Sequence, residues 1–120
     1  MTRKTNWANE LSNFIGTNAY WPICKFAVLT DGTKFLADQA EAYWLMYAIA
    51  SYLPELKSKH EFAVAELSIT HSAAVLLLTD GNHNELARQA VEYTDFPLPS
   101  ITMYTAWAGD FWVIMLPSEY

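Results

Sequence analysis

Apolar and polar positions run along this chain in two rhythms. One repeats every second residue and one every three to four, and together they divide the chain into strands and a central helix. The longest helical stretch is Lys34–Leu53, KFLADQAEAYWLMYAIASYL, which predicts one continuous helix. Leu36, Ala40, Tyr43, Tyr47 and Ala50 recur at steps of three and four and define one face. Lys34, Asp38, Gln39 and Glu41 lie off that face as a solvated side. From Ala42 to Leu53 the conventionally polar residue is Ser51, so Leu45, Met46, Ile49 and Tyr52 add a second apolar side. A helix apolar all round is covered all round, by its own domain or by another molecule. The run is shorter than the roughly 20 residues needed to span a bilayer. Pro54 predicts its end, because the ring clashes with the preceding turn.

Taken in order, Thr5 or Asn6 caps a short first helix that places Trp7, Leu11 and Phe14 on one face. Gly16 suits the left-handed closing position. Asn18–Pro22 reads as a loop and Ile23–Leu29 as a strand. Thr30-Asp31-Gly32 turns the chain, with Thr33 as the helix cap. Glu55–His60 is a charged link. Phe62–Thr70 alternates as a half-buried strand, and His71-Ser72 connects it tightly to Ala73–Thr79, which is apolar on both faces and suits a central strand. Asp80–Asn84 is a turn. Glu85–Tyr93 has helical propensity but sits where a strand would pair back on 73–79. The two prolines in Thr94–Pro99 interrupt the pattern, and Ile101–Trp107 with Phe111–Leu116 reads as a hairpin. The sum is an α+β domain spanning 1–120: an antiparallel sheet of five or six strands packed on one long helix, with a short N-terminal helix.

At 120 residues and 52% hydrophobic content, the chain is long enough for a real core. The 15% aromatic content changes the picture, since a core this small has trouble hiding Trp7, Trp21, Trp44, Trp107 and Trp112 together. Surplus ring surface points to a partner. The net charge of −6 is uneven. Residues 1–59 carry six basic and five acidic side chains, and residues 60–120 carry Arg88 against eight acidic ones. That half repels nucleic acid and favours a basic protein surface. Cys24 is the single cysteine, so no intrachain disulfide forms. The N-terminal MTRKTNWANELSNF lacks the apolar segment of a signal peptide, which leads to the expectation of a cytoplasmic protein.

Chemistry-bearing patterns are weak. His60, His71 and His83 match no zinc spacing. Asp80, Asn82 and Asn84 alternate like the start of a calcium loop, but the glycine stands at 81 and Val91 occupies the position of the bidentate glutamate. The four glycines form no phosphate-binding loop. Glu92 with Asp95 reads as surface charge rather than an acid–base pair. Arg3 with Lys4, and Lys57, Lys59 and His60, are too few for a phosphate-tracking surface. No cofactor is implied.

The run Ala90-Val91-Glu92-Tyr93-Thr94-Asp95-Phe96-Pro97-Leu98, the ending Leu116-Pro117-Ser118-Glu119-Tyr120, and Thr30-Asp31-Gly32 through Leu36-Ala37 to Ala42-Tyr43-Trp44-Leu45 resemble a bacterial family of domains of unknown function. Its members are small and turn up on plasmids, phages and other mobile elements. The resemblance covers most of the chain and implies no activity. It implies a hairpin after Asp80-Gly81, hence a strand over 85–93, and a shorter loop than the one around Ala106–Asp110 here.

Together these readings lead to the expectation of a non-enzymatic protein-binding module of a mobile element. In concrete form it is an inhibitor that blocks a basic, nucleic-acid-handling host complex, as anti-CRISPR and other anti-defence proteins do. The expected partner is a protein with a basic surface, such as a CRISPR effector complex, with no direct nucleic acid and no membrane. Glu85, Glu92, Asp95 and Asp110 would steer association, and Trp107, Phe111 and Trp112 would anchor it. Two alternatives stand beside it. One is a homo-oligomer pairing through Leu45–Leu53 or the C-terminal hairpin. The other is a small enzyme whose pocket gathers Cys24, Asp31 or a histidine.

Overall fold

The computed structural model describes residues 2–56 and 59–120, with 2–6 placed by their backbone alone. It is an α+β fold in two layers. A 3-10 helix (Thr2–Asn13) leads into β1 (Trp21–Cys24) and β2 (Ala27–Leu29), then α1 (Asp31–Gln39) and α2 (Tyr43–Leu56). Five strands follow: β3 (Phe62–Thr70), β4 (Ala73–Thr79), β5 (Glu85–Val91), β6 (Ser100–Trp107) and β7 (Trp112–Met115). A 3-10 turn, Pro117–Glu119, comes after them. One seven-stranded sheet results, in the order β1-β2-β7-β6-β3-β4-β5. It is mixed: β2 runs parallel to β7, and the other neighbours are antiparallel. The expectation of five or six antiparallel strands is corrected on both points. Lys25 and Phe26 fold the single strand anticipated over Ile23–Leu29 into a hairpin, with Cys24 opposite Ala27. The ambiguous segment is a strand over Glu85–Val91.

The long helix is two helices. Ala40 closes α1, and Glu41 takes the left-handed conformation at φ 52°. The Ala42 N–H then reaches back to the Ala37 carbonyl at 2.9 Å. That six-to-one bond around a left-handed residue is a Schellman stop. Glycine usually fills its left-handed position, and a glutamate there carries no sequence signal. The break rotates the second half relative to the first, so the face anticipated from Leu36 through Tyr47 does not exist. The core face of α2 is Leu45, Met46, Ile49, Ala50 and Leu53, all buried, while Tyr47 is 51% exposed. Most of its apolar surplus therefore packs inward, with Tyr47 left exposed. Pro54 lies inside α2, which runs two residues further. Its missing N–H withdraws one i→i−4 bond from the last turn, and the helix ends within two residues of it. At the start of α1, Thr30 rather than Thr33 is the cap. The Thr33 N–H meets Thr30 Oγ1 at 3.3 Å, and the Thr30 N–H meets Thr33 Oγ1 at 2.9 Å.

The helices cover one face of the sheet, against inward residues such as Ala65, Leu67, Leu76, Leu78, Met103 and Ile114. Trp7 is buried with its ring centroid 6.4 Å from that of Phe35 in an edge-to-face contact, and Leu11 and Phe14 pack on the same core, as the spacing of the first helix predicts. The anticipated Thr5 or Asn6 cap lies outside the described side chains. The other sheet face carries no helix. Burial alternates in register with this: Val64, Glu66 and Ser68 on β3 and Val75 and Leu77 on β4 point outward between fully or nearly fully buried neighbours.

A test follows from the helix break. In a continuous helix, Glu41→Gly would cost about 1 kcal/mol. At a left-handed position the same change is expected to raise stability by about 0.5–1 kcal/mol. The midpoint of urea unfolding, read with an unchanged slope, gives the sign directly.

Candidate functional site

Two constructions stand out, a polar clasp at the start of α1 and the uncovered face of the sheet. The clasp begins with Thr30-Asp31-Gly32-Thr33. Four N–H groups at a helix start lack partners within the helix. Here the Glu119 carboxylate supplies acceptors. The Gly32 N–H donates to its Oε2 at 2.9 Å, and the Thr30 hydroxyl and the Leu116 N–H donate to its Oε1. Thr33 Oγ1 donates to the Ile114 carbonyl at 2.7 Å. Asp31 faces outward and accepts from the Asn18 N–H at 2.9 Å and the Trp21 indole at 3.0 Å. The Asn18 bond first, and the Trp21 bond next, hold its carboxyl below the ordinary value of 3.8. A Cβ on Gly32 would lie 2.6 Å from both Glu119 Oε1 and Leu116 Cδ1, so glycine is required for the approach.

A second exposed chain of contacts runs on from Trp21. Lys34 Nζ lies 4.8 Å from its ring centroid and pairs with Asp38 at 2.8 Å, and the Tyr43 hydroxyl donates to Asp38 at 2.7 Å. The Lys34 hydrogen bond, then that of Tyr43, lowers the Asp38 pKa, and Asp38 in return raises both partners. These groups are satisfied by one another. An open recess of about 410 Å³ adjoins the clasp, lined by residues 13–18 and Asp31.

On the uncovered face, Val28, Val113 and Met115 form a small second core, with Val113 only 5% exposed, flanked by Tyr104, Ala106 and Phe111. Rings gather over and beside it. Tyr20 and Phe111 meet edge to face at 5.7 Å, and Phe62, Tyr104 and Tyr120 form a triangle with centroids 5.3–5.5 Å apart. Tyr20 and Tyr120 are exposed, Tyr120 by 75%. The solvent-facing side of an antiparallel sheet is ordinarily polar. Asp110 and Glu61 are exposed at the same end of the sheet, where the Trp107 N–H donates to the Glu61 carbonyl at 2.8 Å.

The sequence-predicted site residues do not form one cluster. Trp107, Asp110 and Phe111 share the Phe62 end of the sheet, and Glu85 lies at that end on the far edge strand, paired with Arg88 at 3.0 Å. Glu92 and Asp95 follow the opposite end of β5, about 20 Å away at strand rise. Trp112 is 1% exposed and lies in the main core, its ring 5.7 Å from that of Trp107. It is corrected from anchor to core residue: β7 is flanked on both sides, and its even positions face the helices. Its indole nitrogen is buried without a hydrogen-bond partner. Sequence reasoning passed over Tyr20, Phe62, Tyr104 and Tyr120. Phe62 and Tyr104 were legible as one side of alternating strands, but the N-terminal hairpin and the C-terminal 3-10 turn that place Tyr20 and Tyr120 were not.

Cys24 is half-buried against the core in β1. His71 and His83 hold left-handed turn positions. Among the described residues no three His, Cys, Asp or Glu side chains gather as metal ligands. Arg3, Lys4 and Lys57 lie outside the described side chains. Among the described residues no helix is long and apolar enough to cross a membrane.

The three resembling phrases now have places. Thr30-Asp31-Gly32 and Leu116–Tyr120 are the two halves of the clasp. Tyr93–Leu98 is a strap whose Thr94 N–H donates to the Ser72 carbonyl at 2.8 Å and whose Phe96 enters the core. A family model described as a family of unknown function, DUF6876, matches residues 5–120. The chain belongs to this family. No curated protein and no solved structure matches it significantly. The stretches quoted above serve the architecture of this chain.

Glu119→Ala is expected to cost about 2–3 kcal/mol through the donors it orphans. Gly32→Ala is expected to be costly alone and cheaper once Glu119 is alanine, with a coupling of about 1 kcal/mol or more. Simple additivity in urea melts would refute the clasp. The acid side gives a separate check. Because folding lowers the Asp31 pKa, its contribution is complete above the ordinary value of 3.8 and is lost as pH falls through the lower folded value. Asp31→Asn should therefore destabilise most above about pH 4 and converge with wild type on acidification.

Proposed function

We infer that this DUF6876 protein is a protein-binding module rather than an enzyme, and that it docks through the aromatic half of its uncovered sheet face. The observation that supports the reading is the concentration of rings on a face no helix covers: Tyr20 with Phe111, and Phe62 with Tyr104 and Tyr120. Rigid aromatic side chains are the residues that most often carry binding energy at protein interfaces. Asp110 and Glu61 at its end, within a chain of net charge −6, favour a partner with a basic rim and an apolar centre.

In its narrower form the partner is a nucleic-acid-handling host complex, such as a CRISPR effector, and the protein is an anti-defence inhibitor carried on a mobile element. Complexes that hold nucleic acid present the basic surfaces this charge would seek. Glu92 and Asp95, with exposed Tyr93 between them, make a smaller acidic and aromatic spot at the other end. The ring-rich end is preferred because five rings converge there and one stands here.

Photo-crosslinking from position 108, in the exposed loop before Phe111, in host lysate after nuclease treatment tests the reading. The expected product is a defined protein that is lost with Tyr20→Ser plus Phe111→Ser, with affinity weakened at least tenfold. Glu92→Lys plus Asp95→Lys should leave it in place. A product indifferent to the ring substitutions, or one that disappears with nuclease, sinks the reading.

A further inference from the structure

The other half of the uncovered face has a different character. Glu66 on β3 stands opposite Leu77 on β4, and Leu77 opposite Arg88 on β5. All three point away from the helices. Gln89, next to Arg88, faces inward and accepts from the α2 residue Tyr52 at 2.8 Å, and Leu76 and Leu78 flank Leu77 in the core. One straight row across three strands therefore reads acid, apolar, base. The neighbouring row, Ser68, Val75 and Ala90, is uncharged. Val75 and Leu77 are half-buried, so β4 is apolar on both faces while one face has no cover.

We propose that this face receives a second copy of the chain, in an isologous sheet-on-sheet dimer whose two-fold axis runs along β4 over Leu77. Rotation by half a turn about that line exchanges the β3 and β5 sides. Leu77 then faces its own copy, and Glu66 of each protomer faces Arg88 of the other, giving two reciprocal ion pairs. An axis across the strands through the same row would instead set Glu66 against Glu66, so the charges select the axis. Arg88 already holds Glu85 at 3.0 Å, and the pair is half-exposed, leaving guanidinium donors for a second carboxylate. The Glu66, Glu85 and Arg88 charges nearly cancel, whereas each chain carries −6. Two copies thus meet here with little local repulsion.

The Asp80–Asn84 turn bounds the face at the Phe62 end, with Gly81 against Phe62 and Val64, so contact centres on Val75 and Leu77. Three strands about 4.8 Å apart and roughly 20 Å long make a footprint below the ~800 Å² per partner of a standard interface. Such a footprint fits a weak, concentration-dependent dimer. It leaves Phe111, before β7 three strands away, and Tyr20, before β1 five strands away, free for the partner inferred above, and does not rest on that reading.

Sedimentation of the purified full chain across a wide concentration range is the test. The wild type is expected to pass reversibly from monomer to dimer. Glu66→Arg and Arg88→Glu, each checked for an unchanged melting profile, should raise the dissociation constant about tenfold, and the double reversal should bring it back to within about threefold. Leu77→Arg sets two cations on the axis and should abolish association. Glu85→Gln should leave it intact. A wild type that stays monomeric at ~1 mM, or a double reversal no better than either single change, overturns the proposal. Tyr20→Ser plus Phe111→Ser should leave the dimer unchanged, which separates this surface from the partner-docking one.

Discussion

A single carboxylate holds the two ends of this fold together. Glu119 reaches from the last turn of the chain to the first turn of α1 and accepts from Thr30, Gly32 and Leu116. Bare backbone N–H groups at a helix start are otherwise satisfied by water or by a local cap. Here the local cap Thr30 takes the Thr33 N–H, Thr17 takes that of Asp31, and a residue 87 positions away takes that of Gly32. The partial positive charge of the helix N-terminus and the negative charge of Glu119 reinforce the hydrogen bonds. Beside the clasp, β2 runs parallel to β7, and this is the pairing that attaches the N-terminal hairpin to the rest of the sheet. A parallel pair needs a long crossover, and the intervening helices and strands supply it. Without the clasp, β1 and β2 would hang on three paired residues.

That architecture decides which surfaces are left over. Both helices and the first 3-10 helix lie on one side, so helical coverage is spent on one face, and on the other only side chains such as Tyr104 and Phe111 shelter Val28, Val113 and Met115. The opposite face is not uniformly polar, as a solvated antiparallel face would be. It is divided into an aromatic half over β7 and β6 and an ion-bearing apolar half over β3, β4 and β5. The division follows strand order: Phe111 and Tyr104 come from the end of the chain, Tyr20 from its beginning, and the Glu66–Leu77–Arg88 row from the middle. Acidic residues that are neighbours in sequence separate to opposite ends of a strand, and those distant in sequence come together. The functional readings rest on this partition rather than on any motif.

Much of the fold was legible in the residues. Phe62–Thr70 and Ala73–Thr79 are strands with the anticipated bounds, since alternation over seven to nine residues is a strong local signal. The turn at Asp80–Asn84 held because Asp80 bonds the Asn82 and Asn84 N–H groups, a local interaction needing nothing from elsewhere. The break between α1 and α2 was hidden because a glutamate takes the position that glycine usually announces. The site was legible only in kind, as surplus aromatic surface with nearby acid. Trp112, a natural anchor by type, is core because both its neighbouring strands are in place.

By itself the sequence determined the periodicities, the strands and turns they specify, the acidic balance and the excess of rings. These depend on residues close in the chain, where spacing and side-chain chemistry act directly. Tertiary structure alone decided the seventh strand and its parallel pairing, the carboxylate that joins the cap of α1, the face of α2 that meets the sheet, and which rings emerge together on the open face. Each of those depends on contacts between segments dozens of residues apart, and no local pattern encodes the register in which such segments meet.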